Sequence, residues 1–329
     1  MRVALVNPLL AVFLPLLGAT TEEGLSMREI CRNLLRYSGA ALALSSVSGC
    51  SSWVLFNTKG SVGLQERDLI ILCIGLMLFV VVPAIVLTFA FAWRYRASNT
   101  SARYTPEWAH STKIEVVVWG VPLLIIIALA AIVWTSTHKL DPYRPLDVPG
   151  EPINVDVIAT DWKWIFVYPD LGIATVNQLT FPAHRQLALR ITSNSTMGTF
   201  FIPQLGGQVY AMAGMRTQLH LMANEEGKYR GMSGNFNGPG FSDMKFVANA
   251  TSEEDFKRWV TQVKTSPLTL DFNTFLKVAK PSQGNGVVQF SQVQPGLFKM
   301  VIDQFVDSGT ATAATHAAAA VGTSSERKE

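Results

Sequence analysis

Apolar residues cluster into three runs within residues 1–135, and beyond them the pattern changes to short alternating pieces. Residues 69–93 carry no charged side chain, and at about 1.5 Å per residue they can cross a hydrocarbon core of about 30 Å. Residues 116–134 repeat the pattern, so 69–93 and 114–137 are predicted to form two transmembrane helices. Pro83 and Pro122 interrupt them, which a membrane helix tolerates where neighbouring helices satisfy the freed carbonyls. Neither apolar run contains Asp, Glu, Lys, Arg or His. A transporter or pump places such groups inside its spans. Proton or electron traffic through the membrane is therefore expected mainly in a partner.

From Pro152 onward the chain reads as β structure. Residues 153–159 alternate apolar and polar, the mark of a half-buried strand. Residues 164–168, 186–192, 217–222 and 244–248 are further predicted strands, separated by Pro, Gly and Asn turns. Short strands at this spacing suggest a Greek-key sandwich over residues 152–250. Residues 251–306 then turn helical. Ser252-Glu253-Glu254-Asp255 resembles a capping box, with Phe256, Trp259, Val260 and Val263 following at helical spacing. Residues 269–279 and 294–306 are predicted to add two more short helices. Residues 307–329 are Ala, Thr and Ser with almost no bulky apolar side chain, a composition that cannot offset ordering entropy. That tail is expected to be disordered, with His316 solvated.

The third apolar region is an entry signal. Arg28, Arg32 and Arg36 precede the apolar residues 37–47, and Val47-Ser48-Gly49-Cys50 closes the segment with small residues. The pattern resembles a bacterial lipobox, which makes residues 1–49 a leader and Cys50 a lipid-bearing mature N-terminus. Met27 opens a complete signal by itself, so either translation starts there or the leader is unusually long. Lipidation occurs outside the cytoplasm. Residues 50–68 are then periplasmic, the first helix runs inward, and the loop 94–113 is cytoplasmic. That loop holds Arg94, Arg96, Arg103 and Lys113, agreeing with the positive-inside tendency. Everything after Lys139 is expected in the periplasm of a bacterial inner-membrane protein. The formal charge of +3, with no basic stripe, argues against nucleic acid. All three cysteines, Cys31, Cys50 and Cys73, precede the β-rich region, so neither a disulfide nor a thiolate metal site can form within it.

Two stretches carry the functional argument. The first reads Gly198-Thr199-Phe200-Phe201-Ile202-Pro203, and the second runs from Ser233 to Met244 as Ser-Gly-Asn-Phe-Asn-Gly-Pro-Gly-Phe-Ser-Asp-Met. They resemble the copper-binding face of cytochrome c oxidase subunit II. Registered on Pro203 and Met244, that family has histidines where Gly198 and Phe241 stand, and cysteines where Ser233 and Asn237 stand. Asn235 takes the place of the intervening glutamate. A dinuclear copper centre needs bridging thiolates completed by imidazoles, and a lone thioether from Met244 holds copper poorly.

Further stretches extend the likeness: Phe91-Ala92-Trp93-Arg94-Tyr95-Arg96-Ala97-Ser98-Asn99, Asp161-Trp162-Lys163-Trp164, Thr192-Ser193-Asn194-Ser195, Tyr210-Ala211-Met212-Ala213-Gly214-Met215 and Gly238-Pro239-Gly240-Phe241-Ser242. Over residues 49–306 the chain resembles subunit II of quinol oxidases of the cytochrome bo type. The resemblance implies a two-helix membrane anchor carrying a periplasmic cupredoxin-like sandwich and C-terminal helices. It implies no cofactor in this chain. Haems and copper belong to partner subunit I, with subunits III and IV and membrane lipid as further partners. The complex would oxidise ubiquinol, reduce dioxygen and pump protons. Because quinol delivers electrons within the membrane, the copper entry port is unnecessary.

The resemblance also draws attention to Glu115, at the cytoplasmic start of the second helix in Lys113-Ile114-Glu115-Val116-Val117-Val118-Trp119. In the family, a glutamate here lies at the mouth of a proton path into subunit I. By itself, an acid at a helix N-terminus is simply favoured by the helix dipole. Trp162 and Trp164 are expected to pack in a core or interface. His184 and His220 fall on predicted strands without a Cys or second His at ligand spacing. Met212, Met215, Met222, Met232 and Met244 are too irregularly spaced to suggest a copper(I) site. Two other readings stay open: a cytochrome c oxidase subunit with an altered copper site, and a lipid-anchored cupredoxin-fold binding or assembly protein.

Overall fold

The computed structural model describes residues 53–103, 105 and 107–306. The leader, Cys50 and the tail beyond 306 lie outside the described residues.

Helix α1 spans Ser61–Arg94 and α2 spans Thr112–Lys139. At about 1.5 Å per residue, the 34 residues of α1 extend roughly 50 Å, well beyond the thickness of a bilayer core. Its first two turns, which precede the uncharged run at Leu69, carry the helix up to the β domain. Bulky side chains such as Ile71, Phe79, Phe89, Val117, Leu124 and Ile127 face outward, fully in keeping with a membrane-anchored chain.

Ten successive strands, later joined by one from the C-terminal region, build the sandwich: β1 (Ile153–Thr160), β2 (Lys163–Tyr168), β3 (Ile173–Val176), β4 (Gln178–Pro182), β5 (Leu187–Ser193), β6 (Gly198–Phe201), β7 (Val209–Ala211), β8 (Thr217–Leu221), β9 (Gly227–Ser233) and β10 (Lys245–Thr251). Helix α3 (Glu253–Lys264), β11 (Thr269–Leu270), α4 (Phe272–Val278), β12 (Val288–Phe290) and β13 (Gln292–Val293) follow, and a last helix occupies residues 297–306. One sheet is ordered β12-β3-β2-β1-β5-β8 and the other β4-β10-β9-β6-β7, with β11 and β13 paired separately.

The six-stranded sheet is apolar on both faces. Val155, Val157, Trp164, Phe166 and Leu189 point toward the five-stranded sheet, where Trp164 and Phe166 meet the stacked rings of Phe200 and Phe246. Ile158, Ile165, Val167 and Val176 point the other way, into a second core with Phe275, Phe290, Leu297 and Val301. The half-buried expectation for β1 is corrected accordingly: from Val155 onward every residue is buried. Its polar position Asp156 lies opposite Arg190 in the parallel β1–β5 pairing, and the guanidinium holds both carboxylate oxygens, at 2.5 and 2.8 Å.

The C-terminal region departs from its helical expectation in carrying three short strands, one of which, β12, extends the large sheet. In the anticipated capping box, Ser252 Oγ accepts from the Asp255 N–H at 3.1 Å. The reciprocal half is absent, because Asp255 turns to Arg258 instead.

Phe275 is completely buried in the second core. Phe275→Ala should therefore cost about 3–5 kcal/mol. A shift of the unfolding midpoint in denaturant would measure it, and a change under about 1 kcal/mol would show that the outer core collapses around the loss.

Candidate functional site

The β1–β2 hairpin turns through Asp161 and Trp162, with Trp162 at φ 65°. That turn throws the indole across Gly238 and Gly240, far away in sequence. A Cβ on Gly240 would lie 2.3 Å from Trp162 Cδ2, so only glycine permits the approach. The neighbouring loop 193–196 is tied back to the same hairpin. Ser193 Oγ donates to the carbonyls of Ser195 and Thr196, and Ser195 Oγ donates to Asp161. Three separate sequence motifs thus converge on one end of the sandwich.

The residues expected at a copper-like face gather there too. Gly198 lies on β6 and Ser233 ends β9; a Cβ on Gly198 would stand 3.7 Å from Ser233 Oγ and 3.8 Å from Asn237 Nδ2. Asn237 Nδ2 donates to Met244 Sδ at 3.1 Å, and Met244 is fully buried. Ser233 Oγ donates to the Asn235 carbonyl at 3.2 Å, while Asn235 reaches the Met197 carbonyl. Phe241 opens a 3₁₀ turn (Phe241–Asp243) and packs edge-on against Phe236. Hydroxyl, amide, thioether and phenyl groups are poor copper ligands, and a dinuclear centre has no thiolate to bridge it. The only described cysteine, Cys73, lies in α1. The side chains present do not fit such a centre.

Glu115 stands in the first turn of α2, and its N–H donates to the Ser111 carbonyl. Its carboxylate meets His110 Nδ1 at 2.5 Å, while His110 Nε2 lies 3.3 Å from Thr112 Oγ1. This imidazole was missed in the sequence; its position five residues ahead of Glu115 was the available signal.

The remaining candidates separate. Trp164 is core. His184 sits in a turn at φ 59°, not on a strand, because the chain reverses between β4 and β5. His220 is on β8, where Gln186 Nε2 contacts its Nδ1 at 2.9 Å and burial pushes the imidazole below its usual value. Among the five methionines only Met244 is buried. Lys163, within the Asp161–Trp164 motif, is buried and pinned to the Lys280 carbonyl and Ser282 Oγ at 2.7 and 2.6 Å, and burial lowers its pKa. It is a structural tie between hairpin and C-terminal region.

Relatives align with this chain over most of their length. Cytochrome bo(3) ubiquinol oxidase subunit 2 of Pseudomonas putida is 53% identical over 264 residues, covering 80% of this chain and 84% of its own. The chain belongs to the ubiquinol oxidase subunit 2 family. The corresponding protein of Pseudomonas aeruginosa is 51% identical, over 84% of this chain and 83% of its own. Ubiquinol oxidase subunit 2 of Acetobacter aceti is 49% identical, over 84% of this chain and 90% of its own. The COX Aromatic Rich Motif matches residues 264–309. Its aromatics Phe275, Phe290 and Phe298 are those that close the outer face of the six-stranded sheet. Among solved structures, the periplasmic domain of subunit II of cytochrome oxidase from Bradyrhizobium japonicum aligns over 35% of this chain and 95% of its own, at 18% identity and a TM-score of 0.34. This family member carries a two-sheet β-sandwich and two apolar helices.

Gly240→Ala should drive the Trp162 indole off the loop and cost about 1–3 kcal/mol. Tryptophan emission should shift toward that of a solvated indole while the circular dichroism of the sheets is kept. An unchanged spectrum and stability would show that the loop moves aside freely.

Proposed function

We propose that this chain is the non-redox subunit II of a proton-pumping ubiquinol oxidase, supporting a larger subunit I that holds haems and copper, with subunits III and IV beside it. One observation carries the reading: at the end of the sandwich where a copper entry port would need thiolates and imidazoles, the chain gathers Gly198, Ser233, Asn237, Phe241 and Met244. A donor that enters from the membrane, such as ubiquinol, makes such a port unnecessary. In this reading the protein lies in a bacterial inner membrane, with lipid on Cys50 and the sandwich in the periplasm. The uncharged cores of α1 and α2 support placing both redox chemistry and proton passage in the partner.

The substituted loop retains the geometry to be rebuilt. Space beside Gly198 faces Ser233 and Asn237, so an imidazole there would point at both. Gly198→His, Ser233→Cys, Asn237→Cys and Phe241→His, with Asn235→Glu, should together give a purple, copper-binding protein, whereas single changes should not. Metal analysis and absorption spectra read the result. Two coppers per unmodified chain would overturn the proposal.

Glu115 is proposed to feed the entrance of a proton path in subunit I. Its support is a carboxylate at the water boundary, already in contact with a second proton-exchanging group, His110. Glu115→Gln keeps the shape and removes proton exchange. Quinol oxidase turnover should fall several-fold or more, within the range of about 10²–10⁴ typical of general acid–base groups, with haem content unchanged. Glu115→Asp should retain more activity than Glu115→Gln. Equal turnover in wild type and Glu115→Gln would reduce the residue to a helix-end acid.

A further inference from the structure

Where the two helices meet the sandwich, the surface holds two cavities that share a wall. The upper one, about 270 Å³, is bounded by the first turns of α1, the end of α2 and the chain that follows it. Glu66, Asp141 and Asp147 line it, together with Lys139 and Arg144. The lower one, about 240 Å³, lies between the helices and is walled by Asp68, Leu69, Leu72 and Ser136. Gln65, Lys139 and Leu140 belong to both.

The upper cavity lies ahead of the uncharged run of α1, and the lower one reaches the start of that run at Leu69 and Leu72. An occupant must therefore carry a charged head and an apolar tail, and must arrive from the bilayer. Its head must also match the charge of the walls. The Lys139 and Arg144 side chains form no ion pair among the described residues, so both are free to hold a phosphate. Asp68, Asp141 and Asp147, with Glu66 whose pKa burial raises, outnumber Lys139 and Arg144 and leave the walls net negative. A net-anionic head is repelled, whereas a zwitterionic head with an exposed ammonium is satisfied at both ends.

We propose that this stepped cavity binds one phosphatidylethanolamine, its phosphate between Lys139 and Arg144, its ammonium toward Glu66 and Asp141, and one acyl chain in the groove between α1 and α2. The site rests on the part of the functional reading in which both helices cross a bilayer. Its role is to fill the wedge between helices and sandwich, so that the domain is held over the membrane by lipid as well as by the chain.

Native mass spectrometry of the detergent-solubilised complex, titrated with phosphatidylethanolamine, phosphatidylglycerol of matched chains, or ubiquinone, tests it. Wild type should retain one phosphatidylethanolamine more than Lys139→Ser/Arg144→Ser, with affinity falling about fivefold for each basic residue removed. Glu66→Gln/Asp141→Asn should narrow the preference over phosphatidylglycerol. Leu72→Trp fills the groove with every charge kept and should also lose the lipid. Subunit stoichiometry and haem content confirm that each variant is assembled. Phosphatidylethanolamine retention equal to that of wild type in Lys139→Ser/Arg144→Ser or in Leu72→Trp overturns the proposal. So does phosphatidylglycerol binding wild type as tightly, or ubiquinone displacing the lipid. A chain that purifies with no haem-bearing partner would sink the oxidase assignment instead, and the same titration on that chain would still decide the lipid site.

Discussion

The architecture depends on one sheet having two apolar faces. Strands β1, β2 and β3 present Val155, Val157, Trp164 and Phe166 on one side and Ile158, Ile165, Val167 and Val176 on the other. Burying only one side would leave a broad apolar surface in water, so the sheet requires two covers. The five-stranded sheet supplies the first through Phe200 and Phe246. The second comes from the C-terminal region, where Phe275, Phe290 and Leu297 close the outer face. Of the two buried charges on these strands, Lys163 is tied to the C-terminal region, and Asp156 is tolerated because Arg190 satisfies both oxygens, although burial still pushes its pKa up. Such a pair adds little net stability, but removing one partner strands the other charge.

The loop between β9 and β10 is held by contacts within the chain. Here the fastening is steric and hydrogen-bonded. Trp162 lies against the Gly238 and Gly240 backbones, Asn237 closes onto Met244, and Ser233 turns its hydroxyl to Asn235. The buried Asn237 Oδ1 and Trp162 Nε1 have no partner within the described chain. The surrounding packing and hydrogen bonds nevertheless fix the loop. They explain how the loop keeps its shape with a donor set unsuited to copper.

The sequence was most readable where periodicity and burial agree. Strands β1, β2, β5, β8 and β10 and the start of α3 follow from alternation or capping, and the two long helices from uninterrupted apolar runs. Five sandwich strands were not legible, for local reasons. Strands β3 and β4 form one apolar stretch broken only by Asn177 at φ 57°, and β9 is rich in glycine and charge. Burial of β1 on both faces was hidden because its polar residue is paired across strands. Within the candidate site, the absent thiolates and imidazoles could be read directly. The contact of Trp162 with Gly240 and that of His110 with Glu115 could not, since each depends on a turn whose direction only the fold supplies.

The junction between membrane helices and sandwich limits what the chain can do mechanically. Backbone hydrogen bonds from Lys59 and Gly60 to the Gln204 carbonyl, and from Gly63 to the Leu205 carbonyl, tie the start of α1 to the loop after β6. Asn224 N–H donates back to the Lys59 carbonyl, and Lys59 pairs with Glu225. Beyond α2, His220 N–H donates to the Pro142 carbonyl. Gly60 fits only because it has no Cβ: one would lie 2.1 Å from the Leu205 carbonyl oxygen. A flexible tether would need none of these bonds. A domain fixed at both helix ends cannot swing between partners as a mobile carrier does, so its contribution has to be exerted in place. That requirement suits a subunit that shapes and supports a neighbour.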